Sequence, residues 1–123
     1  MENDNKKFKN EFKKRLYSWT LRLIRFIDKL PKDSVCKVMG KQLLRSGTSI
    51  LANYIEAGSA SSKKDYINFF THYLKSANET KYWLIVIKEG YFKGSDDVSS
   101  LINEVDEISK ILGSSVLTLK VRS

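Results

Sequence analysis

Between Arg45 and Ala57 the chain reads Arg-Ser-Gly-Thr-Ser-Ile-Leu-Ala-Asn-Tyr-Ile-Glu-Ala, with Ser46, Ser49, Asn53 and Glu56 spaced three and four residues apart. On a helix that spacing draws one polar line along an otherwise apolar flank. A polar atom withdrawn from water without a hydrogen bond costs about 1–3 kcal/mol, so the line demands partners on a neighbouring helix. Glu79 supplies a second carboxylate that could meet Glu56 inside a helical bundle, where paired carboxylates perform acid/base work or hold two irons. Di-metal bundles use Glu-x-x-His pairs, however, and the residue three positions after Glu79 is Tyr82. Hydrogen bonding of Glu56 and Glu79 to Asn53, Ser49 or tyrosine hydroxyls, fixing helix register, is the better reading.

The remaining chemistry is sparse. His72 is the sole histidine and Cys36 the sole cysteine, so neither a metal quartet nor a Cys-x-x-Cys pair can be assembled. Phosphate-cradling glycine loops are missing as well. The residues therefore point away from an enzyme and from any cofactor or metal. A lone cysteine excludes an internal disulfide and fits a reducing cytoplasm. The start Met-Glu-Asn-Asp-Asn-Lys-Lys is not a signal peptide, and no apolar run suits a membrane span, so no membrane partner is expected.

Charge is the stronger signal. The 123 residues carry a formal net charge of +8, and the first 37 hold 11 of the 22 Lys and Arg but only 5 of the 14 Asp and Glu. At 100° per residue Lys7, Lys14, Arg15, Arg22, Arg25 and Lys29 project into a sector of about 100° on the first helix. Such a strip can pair with phosphates and release counterions, which points to structured RNA or DNA as a partner. The plainer alternative is a solvated face that only keeps the protein soluble. Zinc-finger spacing, a helix-turn-helix signature and an aromatic sheet motif are all missing, so binding would follow backbone charge and shape rather than base identity.

These residues must be positioned by helices. Periodicity predicts four, at about 6–29, 34–57, 62–89 and 95–120, in a single domain spanning 1–123. Phe8, Phe12, Leu16, Trp19, Leu23, Phe26 and Leu30 form the seam of the first, which Pro31 stops. Asp33 or Ser34 caps the second, with Met39, Leu43, Ile50 and Tyr54 inward. Ser62-Lys-Lys-Asp65 resembles a capping box opening the third, and Gly90 is expected to close it in the left-handed conformation. Ser95 and Asp96-Asp97 suit the start of the fourth, and Leu101, Val105, Ile108, Leu112 and Leu119 its core stripe. Short connections force neighbours to run antiparallel, giving an all-α, up-down-up-down four-helix bundle.

Two segments carry more apolar surface than one bundle core uses. Tyr17, Leu21 and Ile24 line a second side of the first helix, and Tyr82-Trp-Leu-Ile-Val-Ile87 is apolar all round. Tyr17, Leu21, Ile24, Tyr82 and Trp83 are therefore candidates for a homo-oligomer interface, the alternative being a generous core with a few exposed aromatics.

Three segments, Gln42-Leu-Leu-Arg-Ser-Gly-Thr-Ser-Ile-Leu-Ala-Asn-Tyr-Ile-Glu56, Ser61-Ser-Lys-Lys-Asp-Tyr-Ile67 and Glu79-Thr-Lys-Tyr-Trp-Leu84, together resemble the bacterial four-helix-bundle family also known as 23S rRNA-intervening-sequence proteins. The likeness extends to Leu101-Ile-Asn-Glu-Val-Asp-Glu-Ile-Ser-Lys-Ile-Leu112 and covers nearly the whole chain. The common family form has Glu-Gly where this chain has Glu56-Ala57, so it is more similar to the branch with Glu-Ala and Tyr-Trp-Leu. The resemblance implies a homo-oligomer, commonly a pentameric barrel, without catalysis. It also implies architectural roles for Arg45, Ser49, Asn53, Glu56 and Glu79. A more remote likeness, to the accessory protein of diversity-generating retroelements, implies a basic pentamer that binds nucleic acid and partners a reverse transcriptase.

Overall fold

A computed structural model describes residues 2–121, with side chains placed for 6–115, 117 and 118; the predicted core role of Leu119 lies outside the described side chains. Four helices follow in chain order, α1 (Glu2–Asp28), α2 (Ser34–Ala57), α3 (Lys63–Tyr91) and α4 (Asp96–Val121). Each packs against its chain neighbours and α1 closes against α4, while the backbones of the diagonal pairs stay apart. The result is the antiparallel square expected of short connections. Among the described residues no helix is long and apolar enough to cross a membrane.

Local chemistry sets the boundaries. The last turn of α1 tightens, with Lys29 and Leu30 N–H groups donating to the carbonyls of Phe26 and Ile27, before Pro31 ends it. At the start of α2, Asp33 takes the cap position and its carboxylate accepts from the Cys36 N–H at 2.8 Å. Ser62 caps α3 by accepting from the Asp65 N–H at 3.0 Å. The predicted capping box is only half formed, because the Asp65 carboxylate takes the neighbouring Ser61 hydroxyl at 2.8 Å.

Gly90 does not close α3. The helix continues through it to Tyr91 and ends at Phe92, whose N–H donates to the Lys88 carbonyl. The Phe92 ring packs back on Phe26 with centroids 5.5 Å apart, which favours a helix running two residues past the expected end at 89. Reversal falls instead to Gly94, at φ 88°, a conformation that a side chain disfavours.

The core holds Leu16, Trp19 and Leu23 of α1, Leu43 and Ile50 of α2, Tyr73, Leu84 and Ile87 of α3, and Leu101, Val105, Ile108 and Leu112 of α4. Trp19 anchors the α1–α4 side by donating its indole N–H to the Leu101 carbonyl at 3.1 Å. On the other side α1 lies close to α2 at Gly47, where a Cβ would fall 2.1 Å from Leu23 Cδ2. Phe8 departs from the expected seam: it is 58% exposed and stacks on Phe12 at the open end of the bundle.

Candidate nucleic-acid interface

The α1 seam buried by α2 and α4 leaves the opposite side of α1 facing solvent, and most of the predicted basic strip lies there. Lys7, Lys14, Arg22, Arg25 and Lys29 are exposed, and among the described residues none forms an ion pair. Arg22 donates to the Ser100 hydroxyl at 2.7 Å, which holds its stem against α4 without neutralising it. Arg22, Arg25 and Lys29 border a groove of about 170 Å³ floored by Phe26 and Leu101, with Asp97 at its edge. Three cations around one shallow groove form a concentrated positive potential suited to a phosphate group.

Arg15 does not share this freedom. Its guanidinium forks onto Glu104, with Nε to Oε1 at 2.5 Å and Nη2 to Oε2 at 3.1 Å, and also reaches Glu107. The Glu104 carboxylate, helped by Glu107, raises the Arg15 pKa, and the Arg15 hydrogen bond in turn holds Glu104 below its ordinary value. This partly buried pair clamps α1 to α4, so Arg15 is structural rather than available to phosphate. Glu104 and Glu107 were missed in the sequence because periodicity within one helix does not say which carboxylates stand opposite; their spacing beside core positions Leu101, Val105 and Ile108 is the signal that places them on a flank.

A folded-state carboxylate pKa below the ordinary 4.5 adds stability that is present above that value and lost as pH falls through the depressed one. Thermal melting of the protein should therefore show a decline on acidification below 4.5 that Glu104→Gln reduces. Asp106, lowered by Lys110 and Lys81, contributes a further part of the decline that remains in the variant.

The polar line on α2 faces α3, but its members separate. The Ser46 hydroxyl is buried against Thr80 Oγ1 at 2.9 Å and donates to the Leu43 carbonyl. Ser49 pairs with Ser76 at 2.7 Å, and Asn53 donates to the Ser49 carbonyl at 2.8 Å and to its hydroxyl at 3.1 Å. Ser76 and Thr80 are the partners that the sequence reading lacked; their i, i+4 spacing on α3 mirrors the polar line opposite. Glu79 bonds neither Asn53 nor Ser49. It pairs with Arg45 at the surface and accepts from the Trp83 indole at 3.1 Å. Glu56 is exposed and, among the described residues, its carboxylate makes neither a hydrogen bond nor an ion pair. Ten residues at 100° each turn it about 80° away from Ser46, out of the helix contact. The two glutamates do not meet, and the network that the structure assembles is Ser46, Ser49, Asn53, Ser76 and Thr80.

The surplus apolar residues divide between two sides. Tyr17 is 56% and Ile24 41% exposed, with Leu21 half-buried between them, and exposed Leu44 and Ile55 of α2 continue this side past the Gly47 contact. On α3 Tyr82 is 64% exposed and lies beside exposed Val86, with the Lys81 ammonium 5.6 Å from the Tyr82 ring centre. Trp83 turns inward and is half-buried against the core.

Comparison with known proteins bears on the family and the fold. No curated protein matches the chain. A crystal structure from Bacteroides thetaiotaomicron, of a protein with unknown function from the S23 ribosomal protein family, is 38% identical over 85% of this chain and 96% of that one, with a TM-score of 0.78. The family model described as 23S rRNA-intervening sequence protein matches residues 9–114. With most of the bundle inside that match, the chain belongs to the 23S rRNA-intervening sequence protein family.

Proposed function

We propose that this chain is a non-enzymatic, homo-oligomeric accessory protein that binds RNA or DNA phosphates through the basic face of α1. The observation that carries the reading is the contrast along one helix: Arg15 is held by Glu104 and Glu107, whereas Lys7, Lys14, Arg22, Arg25 and Lys29 make no ion pair among the described residues. Surface charges that no carboxylate pairs directly remain free to exchange counterions for phosphates.

The assembly follows from the two apolar sides. They lie on α1 and α3, which are diagonal in the square. A copy can therefore offer its α1 side to the α3 side of the next, the head-to-tail contact that closes into rings. A pentamer is the number that the family resemblance implies. Each added subunit would bring another basic strip to the same surface, multiplying the charge that a nucleic acid meets.

Arg22→Glu/Arg25→Glu tests the phosphate role. Both side chains are exposed, so the fold should survive. Affinity for a structured RNA, measured by filter binding at fixed salt, should fall at least tenfold, and the salt dependence should lose about two phosphate contacts. Unchanged affinity removes the nucleic-acid role and leaves a scaffold for a protein partner, such as a reverse transcriptase, as the function to pursue.

A further inference from the structure

At the opposite end of the bundle from the Arg22 groove, the start of α1, the end of α2, the start of α3 and the end of α4 frame a half-open cavity of about 950 Å³. Its size is that of pockets for small organic ligands, which span about 300–1,000 Å³. The walls are aromatic. Phe12 lies 5.4 Å from Tyr54, Tyr54 stacks over Tyr73 at 5.9 Å, and Phe70 links Tyr73 at 4.8 Å to Tyr66 at 4.6 Å, all centroid to centroid. The Tyr54 hydroxyl donates to the Lys9 carbonyl at 3.3 Å, tying this wall to α1. Exposed Phe8 stands at the mouth.

Two further observations say what kind of molecule the cavity suits. Among the described residues lining it are three cations, Lys9, Lys13 and Lys63, and no carboxylate. The start of α3, with Ser62 and Lys63, adds the positive end of a helix dipole. Deeper in, Tyr73 is 1% exposed and its hydroxyl has no hydrogen-bond partner among the described residues. Burial pushes this phenol's pKa upward, so it stays a neutral O–H group. A buried hydroxyl without a partner is costly; Tyr73 belongs to the cavity's lining although its hydroxyl is covered, so a ligand that shifts the rings over it gives the hydroxyl the partner it lacks.

We propose that this end cavity is a nucleotide pocket, in which a purine or pyrimidine base stacks on the tyrosine and phenylalanine rings, bonds the Tyr73 hydroxyl, and leaves its phosphate on Lys9, Lys13 and Lys63. Planar rings favour a planar base whatever its identity, and the lysines require the anion. The base can belong to a free mononucleotide or to an unpaired position in a strand. The pocket shares no residue with the α1 strip of Lys7, Lys14, Arg22, Arg25 and Lys29, so it stands whether or not that strip binds phosphate.

Equilibrium dialysis of the full-length protein against AMP, CMP, GMP and UMP, and separately against a short unstructured oligonucleotide, tests it. Lys13→Glu should weaken binding at least tenfold and Tyr73→Phe about fivefold, while Lys41→Glu, at an exposed lysine of α2 outside both the cavity and the Arg22 groove, leaves mononucleotide binding unchanged. Tyr73→Phe keeps the ring and removes only the unpartnered hydroxyl, so its melting temperature should not fall. Binding of the mononucleotides assigns the pocket to free nucleotides; binding of the oligonucleotide alone, with the same response to Lys13→Glu and Tyr73→Phe, assigns it to a strand. The proposal is overturned if neither ligand binds, or if both pocket variants bind as the unaltered protein does.

Discussion

Tyr17→Glu combined with Ile24→Glu should reduce the proposed assembly to single subunits while each four-helix fold persists. Both side chains are largely exposed in one protomer, so carboxylates there are hydrated and cost the isolated fold little. Between protomers the same carboxylates would be buried without partners, at several kcal/mol each. Repeated at every contact of a ring, that penalty moves the association constant by several powers of ten. Sedimentation velocity should show the mass of one chain, with an unchanged far-ultraviolet spectrum. RNA affinity should fall with the mass although no basic residue has been altered, since linked strips bind more tightly than separate ones. An unaltered sedimentation coefficient would mean that this side of α1 is not an interface.

Trp19→Ala is expected to be the most damaging single truncation of the core. The ring is 1% exposed, and its indole N–H reaches the Leu101 carbonyl on α4. Removing a buried tryptophan costs about 3–5 kcal/mol, a large share of the 5–15 kcal/mol that holds an ordinary domain. Its position on α1 sharpens the effect, because the α1–α4 contact is the least extensive of the four neighbouring pairs and Trp19 and Arg15 supply two of its bonds. Urea denaturation followed by circular dichroism should show a midpoint lowered in proportion. Trp19→Phe keeps a six-membered ring but loses the five-membered ring with its N–H, so a smaller loss of about 1–3 kcal/mol is expected. Equal losses in the two variants would place the whole contribution of Trp19 in that five-membered ring and its hydrogen bond.

Helix positions were legible wherever a local rule and the tertiary fold agreed. The limits of α2 follow from Asp33 and the small residues after Ala57, and its observed span matches the expected one. Core stripes on α1 and α4 could be read because each helix buries a single side. Gly90 misled because a glycine near a helix end predicts a left-handed cap only when nothing beyond it packs, and here Phe92 does. Glu56 misled for a geometric reason, since steps of three and four residues drift around the helix and the end of a ten-residue line leaves the contact. Arg15 was read as one cation among six because its partners lie on a helix eighty-nine and ninety-two positions away in sequence. The end cavity was not legible either: the helical spacing of Tyr66, Phe70 and Tyr73 is that of any core stripe, and only the convergence of four helix ends shows that they line a space.

The slope of log affinity against log salt for a structured, largely duplex RNA and the unaltered protein bears most directly on the claim that copies pool their basic strips. One protomer offers five cations of the strip without an ion pair, Lys7, Lys14, Arg22, Arg25 and Lys29. At about 0.9 per phosphate contact for a duplex, the strip of a single chain can give a slope no steeper than about −4.5. Pooled strips should give a steeper slope, returning to −4.5 or less in the Tyr17→Glu/Ile24→Glu protein. A slope near zero, or one that the dissociated variant reproduces, would contradict the claim.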